Sequence, residues 1–323
     1  MHTTQHKGSL DLAASIGKLR HLEDLNLACN AFTALPECIG KLKELQSLDC
    51  SHNQLVTVPR SIGELRKLQV LDLSWNKTGI VSLPEAIGAL TNLVHLSVDK
   101  NALTALPENI GDLVNLTSLD CSSNKLKRLP ASIGMLCNLT QLQLSENDIR
   151  SLPEEISSLR KLRTLVLRDN KLRELPRSIG KLSNLTKLDL SANDLRILPA
   201  SLESLSKLEE LTASRNKLCE LPLGTGNLSC LRKLNIRANK VTALPSSIGM
   251  LTSLTDLDVA CNFLHVLPES LRNVAKLKVL DCSKNRLEVL PAGISSLISL
   301  RELYCGQNKV SNAQNFQLLT RTL

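Results

Sequence analysis

The chain has 323 residues and a formal net charge of +8, and aromatic residues make up only 2% of it. So few rings argue against a surface on which the bases of single-stranded nucleic acid stack. The Lys and Arg residues are scattered among acids, which favours a solvated surface over a clustered footprint for nucleic acid or an anionic membrane.

One residue recurs at a fixed interval along the chain. An Asn appears every 23 residues, except for one step of 25 residues. A period of this length is typical of a repeat architecture, so we predict thirteen stacked coils and number them by this Asn. The thirteen residues are Asn30, Asn53, Asn76, Asn101, Asn124, Asn147, Asn170, Asn193, Asn216, Asn239, Asn262, Asn285 and Asn308.

The stretch 185–199, LTKLDLSANDLRILP, is the unit that the other coils copy. Side chains alternate across a strand, so Leu188 and Leu190 are expected to point inward, and Lys187 and Asp189 outward. One coil leaves its apolar edges open, and only a neighbouring coil can cover them. The hydrophobic core is therefore predicted to form between coils.

Three further positions of the unit predict local structure. The Asn193 amide can donate and accept at a bend, so these residues are expected to form a buried ladder. Pro199 suits the first position of a short helical turn. In the usual sequel to proline, as at Ile179–Gly180, the glycine is expected to permit a tight reversal.

The spacing LxxLxLxxNxLxxLP is the leucine-rich-repeat pattern. It predicts an α/β fold, a curved solenoid with a parallel β-sheet on the concave face and short helical or 3-10 turns on the convex face. Residues 1–21 are predicted to hold a disordered start and a partial capping repeat, or the point where a longer chain was cut. Residues 22–309 hold the thirteen repeats, and 310–323 form a C-terminal cap, with Phe316, Leu319 and Leu323 at helical spacing.

Two coils depart from the pattern. In coil three, Trp75 is followed by two extra residues within 77–80, where Gly79 makes a turn easy. Trp75 is either an anchor for a partner or a ring packed over His52 and Lys100, and the insertion is either neutral or functional. In coil nine, Ala213 replaces an inward leucine and PLGTG replaces the usual turn sequence.

The ten cysteines point to a reducing compartment. Several, such as Cys50 and Cys121, occupy inward strand positions as small apolar residues. There is no CxxC pair, so neither a zinc site nor a disulfide-bonded cap is expected. No signal-type or membrane-spanning stretch is apparent, so we predict a cytoplasmic protein that binds no metal and no cofactor.

Candidate binding residues are those that break the regular filling of the concave positions. Most coils have Asp and then Ser at these positions, which is best explained as a sequence common to exposed strands of this fold. A second row of basic residues, which includes Lys77 and Lys125, follows the Asn residues. Arginine and aromatic residues are favoured at binding hot spots. We predict a partner across coils six to ten; the alternative is that these are ordinary surface residues. The candidates are Trp75, His95, Asp99, Lys100, Gln143, Glu146, Val166, Arg168, Asp169, Lys187, Glu210, Arg215, Lys233, Arg237 and Tyr304.

The full motif LPxxIGxLxxLxxLDLSxNxLxxLP, seen at 175–199, resembles that of the intracellular Ras-group leucine-rich-repeat family, which includes Ras suppressor protein and the Shoc-2-like scaffolds. The resemblance implies a signalling scaffold that binds a small GTPase or a phosphatase. No catalytic constellation is found. The leading hypothesis is a monomeric, non-enzymatic scaffold or adaptor. The alternatives are a sensing domain of a larger protein with a kinase, GTPase or ligase domain, an extracellular receptor domain, and a hydrolase or transferase.

Coil nine generates a first prediction. Because two large apolar side chains are missing from it, we expect 211–227 to be the most mobile internal segment. Amide hydrogen exchange should be faster there than at Leu188 or Leu257. Equal protection at the three places would contradict this prediction.

Overall fold

The computed structural model describes residues 15–76 and 79–310. The chain groups into two compact units, Met1–Ile149 and Arg150–Leu323. In both units each coil except the last consists of a three-residue strand, a bend at the repeated Asn, a crossing segment and a five-residue 3-10 turn that leads to the next strand. The predicted fold class, a solenoid with a parallel sheet on one side and 3-10 turns on the other, is confirmed.

The first unit holds six strands and five 3-10 turns. Neighbouring strands pair in parallel and in sequence order from β1 to β6. The strands are β1 Asp24–Asn26, β2 Ser47–Asp49, β3 Val70–Asp72, β4 His95–Ser97, β5 Ser118–Asp120 and β6 Gln141–Gln143. The turns are η1 Glu37–Lys41, η2 Arg60–Glu64, η3 Glu85–Ala89, η4 Glu108–Asp112 and η5 Ala131–Met135.

The second unit holds seven strands and seven 3-10 turns, again with parallel pairing in sequence order. The strands are β7 Thr164–Val166, β8 Lys187–Asp189, β9 Glu210–Thr212, β10 Lys233–Asn235, β11 Asp256–Asp258, β12 Val279–Asp281 and β13 Glu302–Tyr304. The turns are η6 Glu154–Ser158, η7 Arg177–Lys181, η8 Ala200–Ser204, η9 Leu223–Asn227, η10 Ser246–Met250, η11 Glu269–Asn273 and η12 Ala292–Ser296.

Coil eight shows how the strands divide the side chains between core and solvent. Leu188 and Leu190 are completely buried, whereas Lys187 is exposed and Asp189 is partly exposed. The register places Leu188 beside Leu165 and Leu211 of the adjacent strands. The leucines therefore form rows that run from coil to coil, and the predicted alternation is confirmed.

The predicted ladder of Asn side chains is present. The Asn193 Nδ2 group donates to the carbonyl oxygens of Leu190 and Ser191 in its own coil, at 3.0 and 3.2 Å, and to that of Leu167 in the preceding coil, at 2.9 Å. Its Oδ1 accepts the N–H of Leu172 at 3.0 Å. Because a carboxylate cannot donate, Asp in this position would leave these carbonyl groups unpaired.

The residue before each Asn has a left-handed backbone, which the sequence did not reveal. All thirteen such residues have φ between 51 and 57°, for example Trp75 at 54° and Arg215 at 56°. Few residues with a side chain adopt this conformation, because Cβ crowds the backbone. The bend therefore holds a strained residue in every coil, stabilised by the bonds of the adjacent Asn.

The 3-10 turns begin one residue later than predicted. Pro199 lies immediately before η8 with φ −66° and ψ 145°, an extended backbone. Its carbonyl oxygen accepts the N–H of Leu202 at 3.0 Å. Proline therefore supplies the acceptor for the first turn bond and is not the first residue of the turn.

The glycines of the turns serve a different purpose from the predicted reversal. A Cβ on Gly40 would lie 2.7 Å from the carbonyl oxygen of Ser61, in the turn of the next coil. The reason for glycine is thus the close approach of neighbouring turns. In the described residues a positive φ among glycines occurs at Gly79 alone, at 85°, as predicted for the two-residue insertion.

The unusual turn of coil nine is explained by the coil before it. In coil eight Glu203 stands where glycine is usual, and in coil nine Gly224 stands where the facing residue is usually Ser or Ala. A Cβ on Gly224 would collide with the Glu203 side chain. Compared with the other coils, coil eight has the larger residue and coil nine the smaller one at these two facing positions. The same exchange recurs at Arg272 and Gly293, where the added Cβ would be 2.7 Å from Arg272 Cβ.

Coil nine also loses less packing than its sequence suggests. Ala213 is completely buried, and Thr225, which replaces the usual isoleucine, is 2% exposed. The Thr225 hydroxyl donates to the carbonyl oxygen of Pro222 at 2.6 Å. The expectation of high mobility at 211–227 stays a prediction.

Several predicted features lie wholly or partly outside the described residues. The partial first repeat is described only from Ser15, where Leu19 N–H bonds to the Ile16 carbonyl oxygen at 3.0 Å and Gly17 lies against Cys38. Within 310–323, only residue 310 is described. Lys77 and the capping residues Phe316, Leu319 and Leu323 lie outside the described part of the chain.

The exchange at Glu203 and Gly224 is testable by a double-mutant cycle. We expect Gly224→Ala to lower the free energy of unfolding by about 1–3 kcal/mol, because the methyl group overpacks against Glu203. In the Glu203→Gly background the same change should cost much less, measured by denaturant unfolding. Arg272→Gly with Gly293→Ala is a matched second cycle. Additive effects in both cycles would show that the two residues do not compensate.

Candidate binding surfaces on the strand face

Each coil presents four side chains away from the core. Three come from the strand and its continuation, and we call them the first, second and third strand-face positions. The fourth is the left-handed residue before the Asn, which we call the edge position. In coil eight these are Lys187, Asp189, Ser191 and Ala192. Because the frame is the same in every coil, differences between coils in these four positions decide what each part of the face can bind.

The regular Asp at the second position has a structural role. Asp189 Oδ1 accepts the backbone N–H of Ser191 at 2.9 Å, which closes a small turn at the strand end. This agrees with the prediction that the Asp–Ser line is a shared solution for an exposed strand. The same bond is made by Asp49, Asp72, Asp120, Asp258 and Asp281, and by Asn26 and Asn235.

In the first unit, Trp75 is part of a stack of three edge residues. Its ring lies 5.0 Å from that of His52 with an interplanar angle of 14°, and Lys100 Nζ lies 3.3 Å from the Trp75 ring centroid. The packing over these neighbours is therefore confirmed, with a cation–π contact on one side. The side chain remains 39% exposed, so its role as a partner anchor stays a prediction.

The other candidates of the first unit do not gather into one cluster. His95 is exposed at the first position of coil four, and Asp99, at the third position, accepts the Ser97 hydroxyl at 2.8 Å. Gln143 is partly exposed in coil six, and Glu146, at the edge, accepts the hydroxyl of Ser123 at 2.8 Å.

Burial raises the pKa of Asp99, and the nearby carboxylates of Asp120 and Asp72 raise it further. The hydrogen bond from Ser97 and the charge of Lys100 oppose this shift. The ionised form of Asp99 is thus less favourable in the folded chain than in water.

In the second unit, five candidates form local ion pairs. Glu210 lies between Lys187 and Lys233, at 3.6 and 3.5 Å, along the first positions of coils eight to ten. Arg168 Nε lies 3.0 Å from Asp169 Oδ2. All these side chains are at least one third exposed, so each pair contributes at most about 1 kcal/mol to stability and can exchange for a partner.

Arg237 makes the contact that the sequence reading missed. Its Nη1 atom lies 3.1 Å from Asp281 Oδ2 and 4.0 Å from Asp258 Oδ2, so one guanidinium faces two carboxylates of the next two coils. These two carboxylates were passed over as regular second-position residues. The sequence signal that could have drawn attention to these carboxylates is Ala260, which stands two residues after Asp258 where serine is usual.

The remaining candidates of this unit are separate from one another. Val166 is partly exposed at the second position of coil seven, and Arg215 is exposed at the edge of coil nine. Tyr304 is 51% exposed in coil thirteen, and its hydroxyl donates to Glu302 at 2.9 Å. This bond is the main reason why the pKa of Tyr304 is raised.

The strand face of the second unit is divided by charge. Coils seven to ten carry all the Lys and Arg residues at its strand-face positions: Arg168, Lys187, Lys233 and Arg237. The charged residues at the strand-face positions of coils eleven to thirteen are all acids: Asp256, Asp258, Asp281 and Glu302. The Lys and Arg candidates at the strand-face positions of this unit therefore lie in coils seven to ten, within the range predicted for the partner, and the acids of coils eleven to thirteen adjoin them.

Among the described residues there is no group of three or more His, Cys, Asp or Glu side chains arranged to hold a metal ion. Over the same residues, no helix has the length and apolar character needed to cross a bilayer. None of the ten cysteines, all of which lie in the described residues, forms a disulfide.

Comparison with known families decides the classification. The family model described as a leucine-rich repeat region matches residues 2–102, 133–221 and 214–321, and a single Leucine Rich Repeat model matches 115–136. The chain belongs to the leucine-rich-repeat family. Domains of this family are typical protein-interaction modules, and the fold is generally a non-enzymatic binding scaffold. No protein with a curated description matches the chain.

Solved structures similar to the chain include a bacterial protein and two plant receptors. The leucine-rich-repeat protein LIC12759 of Leptospira interrogans is 30% identical, with 96% of each chain covered and a TM-score of 0.59. The plant peptide hormone receptor RGFR1 in complex with RGF2 is 29% identical, with a TM-score of 0.76, 91% of this chain covered and 52% of that one. The ectodomain of the Arabidopsis thaliana receptor kinase GASSHO1/SCHENGEN3, in complex with CASPARIAN STRIP INTEGRITY FACTOR 2, is also 29% identical, with a TM-score of 0.70 and coverages of 91% and 39%. The chain thus spans about half, or less, of these two receptor chains.

The raised pKa of Asp99 gives a prediction with a definite sign. A folded-state pKa above the ordinary value means that ionised Asp99 costs stability at neutral pH, and that this cost is relieved as pH falls through the folded-state pKa. We therefore expect Asp99→Asn, which keeps the acceptor for Ser97, to raise the melting temperature at pH 7. The gain should shrink as pH falls through the folded-state pKa of Asp99 and vanish only below the unfolded-state pKa, about 3.9.

Asp194 is the matched control, because the hydrogen bond from Lys217 lowers its pKa. Asp194→Asn should give no gain at pH 7. A melting temperature that is unchanged in Asp99→Asn at pH 7, or raised equally by both changes, would contradict the assignment.

Proposed function

We propose that this chain is a non-enzymatic scaffold or adaptor that binds a protein or peptide partner on its strand face, as a monomer, through coils seven to ten. In this proposal Arg168, Lys187, Arg215 and Lys233 contact the partner. Arginine suits such a role because its planar group pairs with carboxylates in a fixed geometry.

The observation that carries the proposal is the contrast between the constant core of the coils and the variable side chains of their strand face. Leucine rows and the Asn ladder are repeated in coil after coil, whereas the Lys and Arg residues at the strand-face positions of the second unit are gathered in coils seven to ten. Their ion pairs are exposed and weak. A partner with acidic residues can therefore replace the internal acids Asp169 and Glu210 at little cost in free energy.

The similar structures support the peptide-binding side of this proposal. Two of them, RGFR1 and GASSHO1/SCHENGEN3, are in complexes with RGF2 and CASPARIAN STRIP INTEGRITY FACTOR 2. They also favour the second candidate function, a ligand-sensing domain of a longer protein, since the chain covers 52% and 39% of them. The mass of the natural protein on a denaturing gel from its source cell distinguishes the two: about 35.4 kDa for the adaptor, clearly more for the sensing domain.

The signalling role follows from the motif at 175–199 alone. We propose, on that resemblance, a cytoplasmic protein whose partner is a small GTPase or a phosphatase. The ten free thiols are compatible with a reducing compartment. Fractionation of the source cell tests the localisation, and recovery in the secreted fraction would exclude it.

The binding surface is tested by charge reversal. Wild type, Arg168→Glu/Arg215→Glu and the turn-face control Arg177→Glu/Lys181→Glu should be used as bait in the same cell extract after equal melting temperatures are established. We expect partners captured by wild type and by the turn-face control to be reduced at least about tenfold with the strand-face variant, because each lost charged contact is worth about 1.5–3 kcal/mol. Equal recovery with all three baits would exclude coils seven to ten.

A further inference from the structure

Arg237 shows how the strand face of this protein holds a guanidinium group. Asp258 and Asp281 are register partners on adjacent strands. Each uses Oδ1 to accept a backbone N–H, from Ala260 and Ser283 at 3.0 Å. Each presents Oδ2 to Arg237, at 4.0 and 3.1 Å. The carboxylates are thus oriented by the backbone and leave their second oxygen atoms for a cation.

The first unit repeats this arrangement in coils one to three. Asp49 and Asp72 are register partners at the second positions of adjacent strands, as Asp258 and Asp281 are. Their Oδ1 atoms accept the N–H groups of Ser51 and Ser74 at 2.9 and 2.8 Å. In the described part of the chain, no hydrogen bond reaches either Oδ2 atom. We call Asp49 and Asp72 the carboxylate pair.

Coil one precedes the pair Asp49/Asp72, and coil ten precedes the pair Asp258/Asp281. These two coils differ at the third strand-face position. Asn26 and Asn235 occupy the same second position, and each accepts the N–H of the third-position residue, at 2.8 and 2.9 Å. That residue is Arg237 in coil ten and Ala28 in coil one. The Asn makes the same backbone bond in both coils, and coil one has no guanidinium at the third position.

In the described residues of the first unit, no cationic side chain forms an ion pair with the carboxylate pair. Strand-face positions of coils one to six contain five aspartates and no Lys or Arg. In residues 15–76 and 79–149, none of these aspartates takes part in an ion pair. The aspartates are Asp24, Asp49, Asp72, Asp99 and Asp120.

We propose that the carboxylate pair Asp49/Asp72 is a binding site for an arginine side chain of a protein partner. Arginine fits better than lysine, because a planar fork of N–H donors can reach two carboxylates on strands about 4.8 Å apart, whereas an ammonium is a single compact charge. Val70, 37% exposed at the first position of coil three, offers an apolar contact for the methylene chain. This site is independent of the surface proposed on coils seven to ten.

The first experiment uses N-acetylargininamide as the probe and the backbone amide signals of Ser51 and Ser74 in the intact, 15N-labelled chain as the readout. We expect saturable shifts of both signals, with N-acetyllysinamide binding about tenfold more weakly, since bonds to charged groups contribute about 1.5–3 kcal/mol. Equal shifts with the two probes would overturn the proposal in favour of unspecific attraction of cations.

Variants make the test specific. Asp49→Asn/Asp72→Asn keeps the acceptors for Ser51 and Ser74 and should abolish the shifts. Ala28→Arg should abolish them as well, because the internal guanidinium then occupies the site, and it should raise the melting temperature. Arg237→Ala should create a second site, reported by the amides of Ala260 and Ser283. Retained binding in Asp49→Asn/Asp72→Asn, or no second site in Arg237→Ala, would refute the assignment.

A selection experiment tests whether the site takes a protein segment. Displayed random heptapeptides should be selected on the wild-type chain and depleted on Ala28→Arg. We expect the remaining peptides to share an arginine at one position. A pool without arginine enrichment would exclude a protein segment as the occupant. Neither outcome depends on Arg168 or Arg215. Failure of this proposal can therefore be distinguished from failure of the surface proposed on coils seven to ten.

Discussion

The buried Asn amide is the interaction on which the rest of the structure depends. In coil eight it donates to two carbonyl groups of its own bend and one of the preceding coil, and it accepts an N–H from that coil. These bonds hold a left-handed residue next to it, at φ 53° for Ala192. Since the frame is maintained mainly by buried amides and leucines, the outward side chains other than the turn-closing Asp contribute little to it. The strand face is therefore free to differ from coil to coil.

The aspartates of the strand face show that one side chain can serve frame and recognition together. One carboxylate oxygen closes the turn at the strand end, and the other faces solvent or a cation. Arg237 satisfies Asp281 and Asp258 within the chain, whereas Asp49 and Asp72 have the same backbone bonds without an internal cation. The net charge of each part of the strand face thus depends on whether a neighbouring coil supplies a Lys or Arg side chain.

The turn side of the solenoid follows a different rule, which is steric fit between neighbours. Gly40 is required because the next turn approaches within van der Waals distance. Where Glu203 and Arg272 replace this glycine, Gly224 and Gly293 of the following coils make the space. A departure that looks like a defect in one coil is thus compensated in another. The unusual sequence of coil nine is accounted for largely in this way.

Periodicity in the sequence was sufficient to determine the number of coils, the strand positions, the inward leucines and the buried Asn, because each depends on spacing within one repeat. Comparison of equivalent positions also identified the Lys and Arg candidates of coils seven to ten. It gave packing over His52 and Lys100 as one of two interpretations of Trp75. The left-handed edge residues, the reason for the turn glycines and the pairing of Arg237 with Asp281, 44 residues away, required the tertiary structure. These features arise from contacts between coils, and the separation of two residues along the chain does not reveal which side chains meet when the coils stack.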